Sequence, residues 1–339
     1  MDENEINDIR KTNDFKNITF SGFSRSKVKV ELIKSINNCE IEPACYWSIE
    51  LICAGHYNDI WNLIISYSSR YIHLSNPKLH IYLSKRFDTF KNIVNNGYKD
   101  NELYLRNNND IRKLFSEIIT IICLSKKSHA FENYAIKSDD DFDITNITNR
   151  LKAPTIEYAS KLFTKDDPKE LFIAINEFVF NISDKVKDTI SACYWLEWII
   201  KFDIISKQKK SICECERRTF ANVDDKYQMN IIWMVWEGIL IETQNKYDKI
   251  INSLLSLFCI RYKPACNKQR KYLLYTAIAC ITESVNFELP LTRDNSLVKN
   301  ISNNIHLIYK QVKKNEQKPN TDYLFNGMNG GNVEKSIKK

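Results

Sequence analysis

Apolar residues recur at helical spacing through most of this chain. Between 109 and 124, Ile111, Leu114, Phe115, Ile118, Ile119 and Ile122 fall at i, i+3, i+4, i+7, i+8 and i+11, which places them on one stripe of an α-helix. Asn109 or Asp110 is positioned to cap it. A second start reads from Asp167-Pro168-Lys169-Glu170: a capping carboxylate, a proline at the first helical position and a glutamate at the third. Phe172, Ile175 and Val179 continue that helix. The same pattern predicts helices over about 27–37, 43–54, 57–73, 78–95, 186–206, 226–244, 247–261, 268–284 and 294–314.

Turn residues support this picture. Glycine and proline number only seven each, whereas a chain of many short strands needs them every eight to twelve positions or so. The expectation is an all-α, multi-helix protein built as two helical bundles or a helical-repeat-like array. Residues 1–20 and 315–339 are polar and read as flexible tails. Residues 21–127 form an N-terminal helical lobe and 167–314 a C-terminal one. Between them, 128–166 is a polar connection containing the acidic Ser138–Asp141 stretch and Asp143.

AlaCysTyrTrp occurs at 44–47 and again at 192–195, each time opening a dense apolar helix. IITIICLSKK, ending at Lys127, is echoed by LLSLFCIRYK, ending at Lys263. Two buried aromatic helices of biased composition account for these echoes, and so does an old duplication. Glu50 and Glu197 lie one register apart, which weighs against duplication.

Composition bounds the class. Of 339 residues, 43% are hydrophobic and 27% charged, as in a folded globular protein. The net charge of +7 arises from 49 basic and 42 acidic residues that are interspersed, less lopsided than a dedicated nucleic-acid binder. The MDENEINDIRK start lacks the basic-then-apolar pattern of a signal peptide, and no apolar run reaches the roughly 18–20 residues of a membrane span. Of ten cysteines, Cys53, Cys123, Cys193, Cys259 and Cys280 lie in apolar runs and read as buried thiols in a reducing compartment. An interior location follows as the expectation.

Candidate chemistry is sparse. Cys213 and Cys215, with Cys259 and Cys266 as the other half, are weak zinc candidates, since paired C-x2–4-C spacing is missing. Lys207, Lys209, Lys210, Arg217 and Arg218 form one basic cluster and Lys268, Arg270 and Lys271 a second. Such clusters contact phosphates when gathered, yet Glu214 and Glu216 dilute the first and neither has a stacking aromatic. A solvated face is the simpler reading. His56 stands near Cys53 and Asp59, but Cys53 is too apolar in setting to be a nucleophile. His73 and His80 bracket the Asn76-Pro77 turn, where a capping role suffices. No glycine-rich phosphate loop, H-E-x-x-H or G-x-S-x-G is present, so no catalytic residue and no cofactor is expected.

Several segments together are similar to one family: IEPACYWSIELICAGHYNDIW, YIHLSNPKLHIYLSKRF, RLKAP at 150–154, DPKELFIAINEF, SACYWLEWII and CECERR. They resemble a protein of large nucleocytoplasmic DNA viruses of the mimivirus kind, over about 25–315. The resemblance implies a viral source and brings no catalytic residues. Combined with the missing motifs, it leads to a non-enzymatic helical scaffold with viral protein partners, acting in the virion or its assembly. Its place is then the host cell interior, cytoplasm or virus factory, and the virion. The alternatives are a nucleic-acid-binding accessory of viral replication or transcription, and an enzyme with an unrecognised zinc site.

Overall fold

The computed structural model describes residues 4–99, 101–128, 136–137, 141–211, 213–220 and 222–318. The fold is all-α; among the described residues no strand forms, and β-pairing is limited to isolated bridges at Ile18–Ser24 and Glu214–Asn230. The α-helices are α1 (Arg25–Asn37), α2 (Ile41–Cys53), α3 (Tyr57–Tyr67), α4 (Pro77–Asn95) and α5 (Asn109–Leu124). After them come the short α6 (Ile144–Thr148) and α7 (Glu157–Ser160), then α8 (Phe172–Ile182), α9 (Thr189–Gln208) and α10 (Ile232–Glu242). The last three are α11 (Asp248–Cys259), α12 (Asn267–Thr282) and α13 (Asn295–Lys313). No helix among the described residues is long and apolar enough to cross a membrane.

Contacts divide the chain into two compact units. The first comprises Met1–Ile60, Ile93–Cys123 and Ser296–Lys339; the second comprises Trp61–Asn92 and Leu124–Asn295. Both are discontinuous in sequence and so differ from the contiguous lobes 21–127 and 167–314. The polar 128–166 connection falls within the second unit, where Ala159 and Leu162 are buried. There Glu177 of α8 accepts the backbone N–H groups of Lys152 and Ala153. Of the acidic stretch, 138–140 lie outside the described residues. Asp141 accepts the Tyr194 hydroxyl, and Asp143 caps α6 through the Thr145 N–H.

In the first unit, α1 and α2 form a hairpin. Arg106 donates to the Cys53 carbonyl at the end of α2, and Arg112 lies 4.2 Å from the Tyr309 ring centroid. Gly55 ends α2 at φ +77°, and a Cβ there would meet Leu103 at 3.3 Å, so glycine answers both the backbone and the space. Residues 4–20, expected to be loose, are tied down: Ile6, Phe15 and Phe20 are buried. Residues 315–318 run with them, since Ile9 N–H donates to the Gln317 carbonyl and Asn315 to Ser21. Residues 319–339 lie outside the described residues.

The second unit is built around α12. Leu273, Leu274, Tyr275, Ala277, Ile278, Ala279 and Cys280 have no exposed surface, so the helix is apolar on every side and packs against α8, α9, α10 and α11. Each fully buried Leu or Ile adds about 1.5–3 kcal/mol. Gly238 lets α10 approach closely, since a Cβ would meet Val179 at 3.2 Å. The helix expected over 57–73 is interrupted. α3 stops at Tyr67 and a π-helical turn covers Ser68–Ile72, where the Ser68 and Ser69 hydroxyls donate to the Ile65 carbonyl. His73 follows at φ 49°.

Both AlaCysTyrTrp segments open the second helix of a hairpin, α2 after α1 and α9 after α8. The local ring pairs match: Tyr46–Trp47 at 5.1 Å and 81°, Tyr194–Trp195 at 5.3 Å and 82°. The surroundings differ. Trp47 packs edge-on to Phe23 and is half-buried, while Trp195 is fully buried beside Trp198.

Candidate anion-binding site

Of the two sequence clusters of cations, Arg218, Arg270 and Lys271 are engaged inside the fold, and Lys207 and Arg217 form ion pairs at the surface. Arg218 is 8% exposed and grips Asp167 with both terminal nitrogens, Glu237 with Nε at 2.8 Å and the Leu162 carbonyl at 3.0 Å. Asp167 also accepts the N–H groups of Thr164 and Glu216. Burial raises its pKa, but the Arg218 guanidinium and these two amides outweigh that and hold it below the usual carboxylate range. Asp167 therefore anchors a residue 51 positions away instead of capping the next helix, which begins with a 3-10 turn at Lys169–Leu171.

Arg217 pairs with Asp225 at 2.7 Å and Gln228. Lys207 pairs with Asp203 on the preceding turn. Lys271 pairs with Glu197, which also accepts the Tyr275 hydroxyl. Arg270 is buried and donates to the Phe258 and Ile260 carbonyls at 2.7 and 2.6 Å, which satisfies the open end of α11. Lys209, Lys210 and Lys268 remain exposed. Lys207, Lys210, Ser211, Cys213 and Glu214 line a small cavity of about 280 Å³.

The cysteines do not assemble. Among the described residues no three His, Cys, Asp or Glu side chains gather as metal ligands. The Cys215 thiol is buried and donates to the Met229 and Asn230 carbonyls at 3.4 Å, and burial pushes its pKa up to about 12. Burial likewise pushes Cys213 up to about 11 and Cys259 up to about 12. Cys53 is fully buried with its thiol raised by burial, and His56 bonds the Ile18 carbonyl at 2.8 Å, so the two make no nucleophilic pair. His73 and His80 are both buried side chains, and the His73 carbonyl accepts the Asn76 N–H at the turn. Burial lowers His73 to about 4, and burial with the neighbouring His73 charge lowers His80 to about 3. Neither ring nitrogen of His80 has a hydrogen-bond partner.

Unpaired positive charge gathers elsewhere in the second unit. A concave pocket of about 400 Å³ is lined by Lys78, Ile81, Tyr82 and Lys85 of α4, by Lys246, Lys249 and Ile250 around the start of α11, and by Phe287 and Leu291. The α4 residues fall at i, i+3, i+4 and i+7, one face of that helix. Lys246 and Lys249 flank the start of α11 at Asp248. Tyr82 and Phe287 are braced from outside the pocket. The Arg86 guanidinium sits 5.0 Å from the Tyr82 ring centroid, and Tyr247 packs at 6.1 Å from Phe287. Among the described residues no carboxylate forms an ion pair with any of the four lysines. Asp184 feels the charge of Lys246, yet Lys187 and Gln244 hold it.

Four lysines thus stand around an apolar floor, an arrangement with the charge to attract anions. Pockets of about 300–1,000 Å³ suit small ligands, and the N-terminal ends of α4 and α11 add positive potential. Lysines 78 and 85 are separated from 246 and 249 by most of the unit's sequence, so no charge run marked this site. No protein-family model, no curated protein and no solved structure matches the chain.

Proposed function

We propose that the protein acts by binding and not by catalysis: a helical interaction protein whose binding element is the four-lysine pocket of the second unit. The observation that carries this reading is the contrast in pairing. Carboxylates and carbonyls engage most of the sequence-clustered cations, while among the described residues Lys78, Lys85, Lys246 and Lys249 line one concavity with no carboxylate in ion-pair contact. Uncompensated like charges collected in a concavity raise the local concentration of anions. The resemblance to proteins of large DNA viruses gives the reading its setting, a component of the particle or of its assembly. Mass spectrometry of purified particles tests that setting, and absence of the chain would remove it.

A nucleic-acid-binding role in replication or transcription is the second reading. It moves from the 207–218 and 268–271 clusters to this pocket, where Tyr82 and Phe287 supply the aromatic surface those clusters lack.

Titration calorimetry with inorganic tripolyphosphate tests the anion site itself. Binding should weaken steeply between about 50 and 200 mM salt. It should disappear when the four lysines become glutamine and persist when Lys209, Lys210 and Lys268 do. Equal binding by both variants would sink the assignment.

A further inference from the structure

We infer that the ligand of the four-lysine pocket is a nucleoside triphosphate, an inference that rests on the anion-binding reading above. The pocket has two chemical halves. The charged half consists of lysines only, without an arginine among its lining residues. An arginine fork fits one carboxylate or phosphate in fixed bidentate geometry, whereas lysines on flexible stems act as movable point charges. Four of them arranged around one space suit charge spread along a chain of phosphates. Lys78 lies in the first turn of α4 and Lys249 in the first turn of α11, so two helix N-terminal ends reinforce the same sign of potential.

The other half is Ile81, Tyr82, Ile250, Phe287 and Leu291. Inorganic phosphate would leave these walls wet. A flat heteroaromatic group would cover them, with Tyr82 and Phe287 offering ring faces or edges to it. Beyond the lysines, Tyr82 is the one lining residue with a polar side-chain group, and its hydroxyl is buried. Nothing there reads the hydrogen-bonding edge of a base, so discrimination between bases should be slight. The phosphate chain supplies affinity and the ring supplies its increment, whichever base is attached.

Calorimetry on the full chain at about 50 mM salt, the low end of the range over which screening weakens binding, separates the possibilities. The ligands are ATP, GTP, inorganic tripolyphosphate, adenosine and a single-stranded deoxythymidine oligonucleotide. ATP and GTP should bind within about threefold of each other and at least about tenfold tighter than tripolyphosphate, the increment expected of one stacked base. Adenosine alone should not bind. Phe287→Leu keeps an apolar side chain but removes the ring, so it should erase the gap between ATP and tripolyphosphate while leaving tripolyphosphate unchanged. Thermal melts of Phe287→Leu establish that it is folded, and Lys78→Gln with Lys249→Gln provides an independent pair that should weaken ATP and tripolyphosphate alike.

Tripolyphosphate binding as tightly as ATP would overturn the nucleotide inference and leave the anion site standing. No binding by any of them would overturn both. Binding of the oligonucleotide without ATP, or an ATP affinity indifferent to Phe287→Leu, would also overturn the inference, the former in favour of a single strand.

Discussion

Arg218 and Lys78 carry the same charge in the same unit of the molecule, and their surroundings are opposite. Arg218 comes from a run of basic residues and meets two carboxylates and two carbonyls at 8% exposure. Lys78 comes from an unremarkable amphipathic helix, is half-exposed and shares its pocket with three more lysines. The arginines and the lysine that the basic runs send inward, Arg218, Arg270 and Lys271, brace the fold, while the pocket's positive field arises where separate helices bring single lysines together. What decides between the two is the number of acceptors within reach after folding.

Arg218→Ala has the largest expected effect. It leaves the buried Asp167 without its guanidinium, a change that costs about 3–5 kcal/mol, read as a lower urea midpoint. Because the folded pKa of Asp167 is depressed, the pair's contribution is present above the ordinary carboxylate value of about 3.9 and is lost as pH falls through the lower folded value. The deficit of Arg218→Ala should accordingly shrink below about pH 3.9. Replacing both partners by apolar residues, Arg218→Met with Asp167→Leu, should recover only part of the loss, because the Thr164 and Glu216 amides and Glu237 then lose their partners.

The second effect comes from charge that the second unit cannot accept. His73 and His80 have folded pKa values near 4 and 3, below the unfolded value of about 6.5. The unfolded chain binds the extra protons as pH falls, so stability drops from about pH 6.5 downward. The slope is about 1.4 kcal/mol per pH unit for each histidine until the folded values are approached. Denaturation midpoints measured at pH 7.5, 6 and 5 give this slope, and His80→Phe should roughly halve it.

Smaller again is Lys271→Met, which leaves Glu197 with the Tyr275 hydroxyl alone and costs about 1–3 kcal/mol. The smallest effect sharpens the contrast: Lys78→Gln, Lys85→Gln, Lys246→Gln and Lys249→Gln together should keep stability within about 0.5 kcal/mol. A large loss in that fourfold variant would mean that these lysines brace the fold as Arg218 does.

The helices were legible because period-3.6 patterning is a local property. α5 runs Asn109–Leu124 as its stripe implies, although Asn108, and not Asn109 or Asp110, accepts the Ile111 N–H at its start. The interruption at Ser68 was not legible, since apolar periodicity continues across it and the serine hydroxyls redirect the backbone. Asp167-Pro168 reads as a cap until Arg218 arrives from elsewhere in the chain and takes the carboxylate. The pocket left one faint local trace, Lys78-x-x-Ile81-Tyr82-x-x-Lys85 on a single helical face. A lysine on an amphipathic helix ordinarily faces water, and only the second helix, with Phe287 and Leu291, turns that face into a wall. Both sequence echoes divide between the units, α2 and α5 in the first, α9 and α11 in the second. The matching Tyr–Trp geometries and unlike neighbours fit a shared local pattern set in different packing.

The distance along the chain between the two lysine pairs bears on how the molecule is made. Lys85 and Lys246 are separated by about 160 residues, and closing so long a loop is entropically unfavourable until the intervening elements have condensed. During synthesis, α4 leaves the ribosome long before α11, and the loop bearing Phe287 and Leu291 comes later still. The pocket is thus a late product of folding, and ligand retention would report a finished second unit more faithfully than helical content does. A chain truncated before Phe287 should keep much of its helix signal and lose the receptor.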